Sequence, residues 1–393
     1  MTDLSAAWVK LALLSHGVAI DVSFSAWFGR QAGWVRRRNF YNSPVWDLDA
    51  TVPQEIRLAT PEGQPPVTVA VNVYGDNTWT LKADAESAWV VNSVLGVSWA
   101  VELVGDLECL RGSEALGHIA NLYGGSALSF FSPRACYFFA DGTQCRFCSL
   151  AGTAAGTSFA NRLSPVQVRD AVAAVLEAEP GRVNQVMIVG GNERSLDTGF
   201  LRHVDLAQAA SAAISAAGMN GQVSVHLVTM PPRDLKAIRE LDGVPDVHVG
   251  FNLEAWDPVT FERIAPGKAT DYGHAAILTA LERLVDVVGE YRAHSILIAG
   301  LEHPASTLSG AASLAAMGVS PIINAFHSDV HSTIGLSVHP SYQQLAEVAS
   351  GLSELHATFP IRPYWKGCGR NALDFEASHG LFDGEPPALD GVS

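Results

Sequence analysis

From about residue 126 onward, short apolar runs and helix-period stretches alternate along the chain. The runs at 128–131, 185–189, 223–228, 247–252, 295–299, 321–326 and 361–364 read as strands. The stretches at 165–179, 204–217, 232–241, 257–264, 272–288, 307–317 and 342–356 read as helices, and Gly218 stands as a C-terminal stop. Successive βα units imply parallel strands joined by right-handed crossovers. The predicted fold class is therefore α/β, a parallel (βα) barrel, full or partial, over residues 126–376. Residues 1–125 follow another pattern. A helix is predicted over 4–14 and an alternating strand over 67–73, followed by a turn at 75–77, a hairpin partner over 78–82 and a strand over 98–104. The segment 29–62 is rich in Trp, Arg and Pro and has no clear period. This part reads as an N-terminal α+β accessory region, and residues 377–393 as a loose C-terminal tail.

Composition narrows the function. Hydrophobic residues make up 48% of the 393 positions, enough for a barrel-sized core. The 25 Lys and Arg against 40 Asp and Glu leave a net charge of −15, whose far field repels phosphates. General nucleic-acid or anionic-membrane binding is therefore not expected. No apolar run is long enough to span a membrane, and residues 1–10 lack a basic stretch followed by an apolar core. The expected compartment is the cytoplasm.

Five cysteines, an odd and low count, argue against a disulfide framework. Three of them, Cys136, Cys145 and Cys148, are clustered, with eight residues between the first pair and two between the second. Asp141-Gly142 gives the longer loop a place to fold back. Three thiolates with an open position fit zinc with a distant fourth ligand, or a [4Fe–4S] cluster whose fourth iron is free. Thiolate softness suits both metals. Buried, unligated cysteines are the plain alternative.

In a βα barrel the chemistry lies beyond the C-terminal strand ends. That rule collects the three cysteines after the first strand and Gly190-Gly191-Asn192-Glu193 after the second. His226 lies on the third strand, and Asn252 and Glu254 end the fourth. Gly300, Glu302 and His303 follow the fifth, and His327, Asp329 and His331 the sixth. Trp365, Lys366, Cys368 and Arg370 follow the expected last strand.

With these residues the sequence resembles radical S-adenosylmethionine (SAM) enzymes, over roughly residues 126–376. Phe147, before the third cysteine, is similar to that family's aromatic position, and Gly190-Gly191-Asn192 to its Gly-Gly-Glu-like motif. Asn252 with Glu254 resembles a polar pair on strand four, and Ile298-Ala299-Gly300-Leu301-Glu302 a Gly-containing motif after strand five. The stretch from Glu262 to Lys268, followed by Tyr272, is similar to barrel members near biotin synthase. Two features depart from the pattern: the first spacing is eight where three is usual, and Asn192 replaces an acid.

The resemblance implies a [4Fe–4S] cluster on Cys136, Cys145 and Cys148, with SAM on its fourth iron and against Phe147, Gly190, Gly191, Asn192, Asn252, Glu254, Gly300 and Glu302. It implies reductive cleavage of SAM, a 5′-deoxyadenosyl radical that takes hydrogen from a small-molecule substrate, and a reductant such as flavodoxin or ferredoxin. Cys368, between two glycines, is a candidate hydrogen donor, Arg370 a candidate fork for a substrate carboxylate, and His327 a candidate substrate contact. A zinc-dependent barrel hydrolase and a non-catalytic cluster scaffold or sensor are the alternatives. The two cysteines outside the triad are too few for a second [4Fe–4S] cluster.

Overall fold

The computed structural model describes residues 4–33, 52–73, 77–155, 159–327, 331–335 and 339–389. Asp329, Asp76 and the middle of the 29–62 segment lie outside these. A seven-stranded sheet carries β7 (Ala120–Tyr123), β8 (Ala127–Phe131), β9 (Gln185–Val189), β10 (Ser224–Val228), β11 (Val247–Gly250), β12 (Ala293–Ala299) and β13 (Val319–Ala325), side by side in chain order. β8 to β13 are parallel, and β7 pairs antiparallel with β8. The sheet thus starts before residue 126.

Helices on the outer face follow from period and capping. Pro165–Ala178 begins with a capping box in which Ser164 and Gln167 satisfy each other's backbone N–H groups. It buries Val168, Ala171, Val172 and Val175, one stripe of the 3.6-residue period. Tyr342–Thr358 starts with the same device at Ser341 and Gln344. Residues 232–241 form a 3-10 segment, Leu235–Leu241, in place of an α-helix. Among the described residues no helix is long and apolar enough to cross a membrane.

The sheet curls. Ala127 of β8 and Ile322 of β13, from opposite ends of the strand order, share one buried cluster with Met187, Tyr364, Trp365 and Cys368. The Tyr364 ring stands edge-on to His226 and His294, with centroids 4.5 and 5.0 Å away. β7 and β13 do not pair, so the barrel is partial. The strand predicted at 361–364 does not form. Pro363 removes a ladder donor from its middle. Residues 361–373 instead run irregularly through the interior and along the open edge, where Asn371 O accepts from Ala325 N at 2.9 Å and Ile323 O from Leu373 N at 3.0 Å.

The second sheet has the order β1 (Ala19–Ile20), β4 (Trp79–Ala83), β5 (Ala88–Asn92), β6 (Val97–Leu103), β2 (Glu55–Leu58), β3 (Val67–Ala70). The strand at 79–83 does not return on 67–70 as predicted; it pairs with β5 and β1. Asp84 closes that local hairpin by accepting from Glu86 N and Ser87 N at 2.8 and 2.9 Å, and short loops close at the least entropic cost. The accessory region clasps the open barrel edge. Buried Lys10 donates to Gly369 O at 2.8 Å and Glu376 Oε1 at 2.7 Å. The expected loose tail is anchored at three points, Phe382, Pro387 and Leu389, which are buried while Asp383 to Pro386 and Ala388 are exposed, and Trp8 meets Phe382 edge-on at 5.3 Å.

Candidate active site at the strand ends

The eight residues between Cys136 and Cys145 form a compact loop. A single turn, Tyr137–Ala140, follows Cys136, and Gly142 at φ 68° reverses the chain. Thr143 N then donates back to Phe138 O at 2.8 Å. The loop is pinned from outside: Tyr137 N donates to Asn192 O at 3.0 Å and Arg146 N to Ile264 O at 2.7 Å. Gly190 and Gly191 are needed for close approach and not, as a tight turn would require, for positive φ. A Cβ on Gly190 would overlap the Ser132 carbonyl, and one on Gly191 the Ala135 carbonyl. The β9 end therefore lies directly against the backbone that leads into Cys136.

Cys136, Cys145 and Cys148 line one cavity of about 160 Å³. Phe147, Gly190, Gly191, Asn192, Asn252 and Glu254 line it too, so nine of the predicted site residues are brought together. Asn192 Nδ2 donates to Cys136 Sγ at 3.7 Å. Glu254 sits just beyond β11 at φ 70°, while its N donates to Ile296 O and its O accepts from Ile298 N. That left-handed residue turns the carboxylate into the cavity. The helix that follows is capped by Asp257, whose Oδ2 accepts from Thr260 N at 2.8 Å, which leaves Glu254 to the cavity.

Lys268 is the residue that sequence reasoning left unassigned. Its Nζ is 2.5 Å from Glu254 Oε1, with both side chains 8% exposed, and 3.2 Å from Asn252 O. Burial alone would lower the ammonium; Glu254 and the nearby thiols outweigh it and hold it above its ordinary value. The available signal was a lone cation in the apolar Ile264-Ala265-Pro266-Gly267 context. Burial pushes the Cys145 thiol well above its usual range, partly offset by Lys268 and reinforced by Glu254. Burial likewise pushes Cys148 up to about 11. Three thiolates here would repel one another, so the pocket suits a positively charged metal centre that replaces their protons. Among the described residues, no group of three His, Cys, Asp or Glu side chains is arranged to hold a metal ion. Three thiols that line one cavity suit a cluster that takes one thiolate per iron, or zinc with a further ligand.

A second cavity of about 300 Å³ opens beside the first and shares Phe147, Cys148, Gly190, Asn252 and Glu254 with it. His327 lines it, and His327 Nδ1 lies 3.3 Å from Asn371 Nδ2. His331 instead packs on Gly152, behind the cysteine loop.

Four predicted residues are corrected. Gly300 lines neither cavity; it packs on Pro340 at φ 98°. Glu302 accepts from Trp256 N, Asp257 N, Ser306 and Thr307, and so organises a loop and a helix start. Arg370 is buried against Glu55 at 2.8 Å with its guanidinium over the Tyr123 ring, so it is not available to a substrate carboxylate. Cys368 is fully buried near the N-terminal strand ends, with Sγ 3.5 Å from Gln185 Oε1 and burial pushing its thiol up to about 12. Both were placed on the rim by the strand expected at 361–364.

No family model and no curated protein matches the chain. Solved structures do. The chain is similar to HydG, a maturase of the [FeFe]-hydrogenase, at 16% identity over 61% of this chain and 51% of that one, with TM-score 0.41. It is similar to a radical SAM methyltransferase from Sphaerobacter thermophilus at 14% identity over 75% and 81%, with TM-score 0.44. It is also similar to methylornithine synthase (PylB) at 12% identity over 62% and 68%, with TM-score 0.40. The chain spans about half the length of HydG.

Proposed function

We propose that the protein is a radical SAM enzyme that acts on a small molecule in the second cavity. The observation that carries this reading is the meeting of Cys136, Cys145 and Cys148 in one cavity with the β9 glycines and the ends of β10 and β11. The three thiols would hold a [4Fe–4S] cluster, and Asn252, Glu254 and Gly190-Gly191 would receive SAM beside it. A cluster held by these thiols would supply the one-electron reduction of the SAM sulfonium from which radical chemistry starts. The chain's own residues orient and protect. Gly190 and Gly191 let backbone approach without side chains, Lys268 pairs with the Glu254 carboxylate at 2.5 Å, and Phe147, Leu150 and Val189 line both cavities with apolar surface that excludes water. A small electron-transfer protein such as flavodoxin or ferredoxin would supply the electron, in a reducing, cytoplasmic setting.

The test is anaerobic purification with iron, sulfide and zinc analysis, then incubation with SAM and dithionite. The expected result is about four irons per chain and formation of 5′-deoxyadenosine, with both lost in Cys136→Ala, Cys145→Ala and Cys148→Ala. Zinc without iron, or a full cluster that never cleaves SAM, overturns the proposal.

A further inference from the structure

The second cavity has a distinctive chemistry. Its walls are apolar: Phe131 ends β8, Ile296 and Ile298 come from β12, and Phe326 follows β13. Its ionic side chain, Glu254, is already neutralised by Lys268 at 2.5 Å. The guanidinium that sequence reasoning placed here is committed to Glu55. Among the described residues that line this space none is Lys or Arg, so a carboxylate or zwitterion entering it would lose its water without a permanent cation to meet it.

Three carboxamides face the cavity. The side-chain oxygens of Asn252, Asn324 and Asn371 are buried and have no hydrogen-bond partner. Asn324 and Asn371 stand on adjoining backbone, since Asn324 bridges to Ala372 and Asn371 O accepts from Ala325 N. Buried amide oxygens without donors are costly, and a native cavity that keeps two side by side is built to receive donors from a ligand.

We propose that this cavity takes an uncharged, largely apolar small molecule that presents N–H or O–H donors to Asn324 and Asn371. The inference rests on the radical SAM reading for calling that molecule the substrate. The cavity chemistry stands on the residues alone. An amino-acid carboxylate, the class suggested by Arg370 in the sequence, would find no Lys or Arg among the described lining residues.

The probes are benzamide, acetophenone and benzoate, three molecules of nearly one shape. Benzamide carries donors, acetophenone has a methyl group in their place, and benzoate is charged. Binding to the full-length, anaerobically purified protein is followed by isothermal titration calorimetry. Benzamide should bind about tenfold more tightly than either other probe, the worth of one to two hydrogen bonds. Asn324→Leu and Asn371→Leu should each erase about five- to tenfold of the benzamide affinity and leave acetophenone within about twofold. Benzoate binding as tightly as benzamide, acetophenone binding as tightly, or no binding by benzamide overturns the proposal. The unmodified protein decides this even if a variant misfolds. Iron content and 5′-deoxyadenosine formation on the same sample separate the two claims. Activity with a benzoate preference sinks the substrate class alone, whereas a benzamide preference without a cluster supports the cavity assignment and sinks the radical reading.

Discussion

Replacing Lys268 with Met tests the electrostatic core of the site. The substitution keeps length and apolar stem and removes the ammonium 2.5 Å from Glu254 Oε1. Glu254 then remains buried, 8% exposed, beside the cysteine thiols and without its cation. Stripping one partner from a buried ion pair costs about 3–5 kcal/mol. Urea unfolding of the metal-free, reduced protein at pH 7, read by Trp fluorescence, measures that loss. Lys268→Met with Glu254→Gln removes both charges and should recover most of the loss. A single variant that costs under about 1 kcal/mol, or a double variant no better than the single, refutes the argument.

Other outcomes follow from particular contacts. Gly190→Ala and Gly191→Ala place a methyl on the carbonyls of Ser132 and Ala135, so each should displace the cysteine loop and cut iron incorporation more than it lowers overall stability; normal iron content would contradict this. Asn192→Leu removes the amide that donates to Cys136 Sγ, so the cluster's midpoint potential should fall, because hydrogen bonds to sulfur favour the reduced state; an unchanged potential by EPR-monitored titration would count against it. Burial, reinforced by Glu376, pushes the Asp374 carboxyl up to about 7. Its folded pKa lies above the unfolded one, so its contribution is present at low pH and lost as pH rises towards 7. Asp374→Asn should therefore gain on the order of 4 kcal/mol over wild type at pH 8 and little at pH 4; parallel pH profiles would refute this. Buried His226, His248 and His294 are depressed chiefly by burial, with His248 adding repulsion at the other two and Lys366 and Arg292 adding it at His248, so their contribution to stability should fall as pH drops below about 6.5; a flat urea midpoint between pH 7 and 5 would contradict it.

The barrel was legible where period and capping agree. β9 is at its predicted position, and the other five parallel strands lie within a few residues of theirs. The cysteine loop and Gly190-Gly191 were legible because each follows a strand end that apolar runs mark clearly. Two kinds of information were not. Pro363 in the 361–364 run was a readable warning against a last strand, and missing it carried Cys368 and Arg370 onto the rim, where neither side chain lies. Arg370 and Glu55 are 315 positions apart, and nothing local announces that pairing. Lys268 was visible only as a cation in apolar company, and Asn324 only as a polar residue inside a predicted strand. A single sequence gives no way to tell such residues from ordinary edge positions until the partners across the cavity are known.

The partial barrel also explains why the accessory region clasps the chain where it does. Six parallel strands leave an edge at β13 that no strand among the described residues covers, and a cavity meant to exclude water needs that edge sealed. Residues 370–373 seal it, and two buried cations hold them: Lys10 on Gly369 O and Glu376, Arg370 on Glu55. Removing either partner strands a buried charge, so the closure is close to all-or-none. Asn371 lines the second cavity, and the residue before it is locked to the accessory sheet. The N-terminal region thereby fixes the position of a cavity-wall amide through the residue before it, and the sequence separation between site and support is a consequence of building a closed chamber from an open sheet.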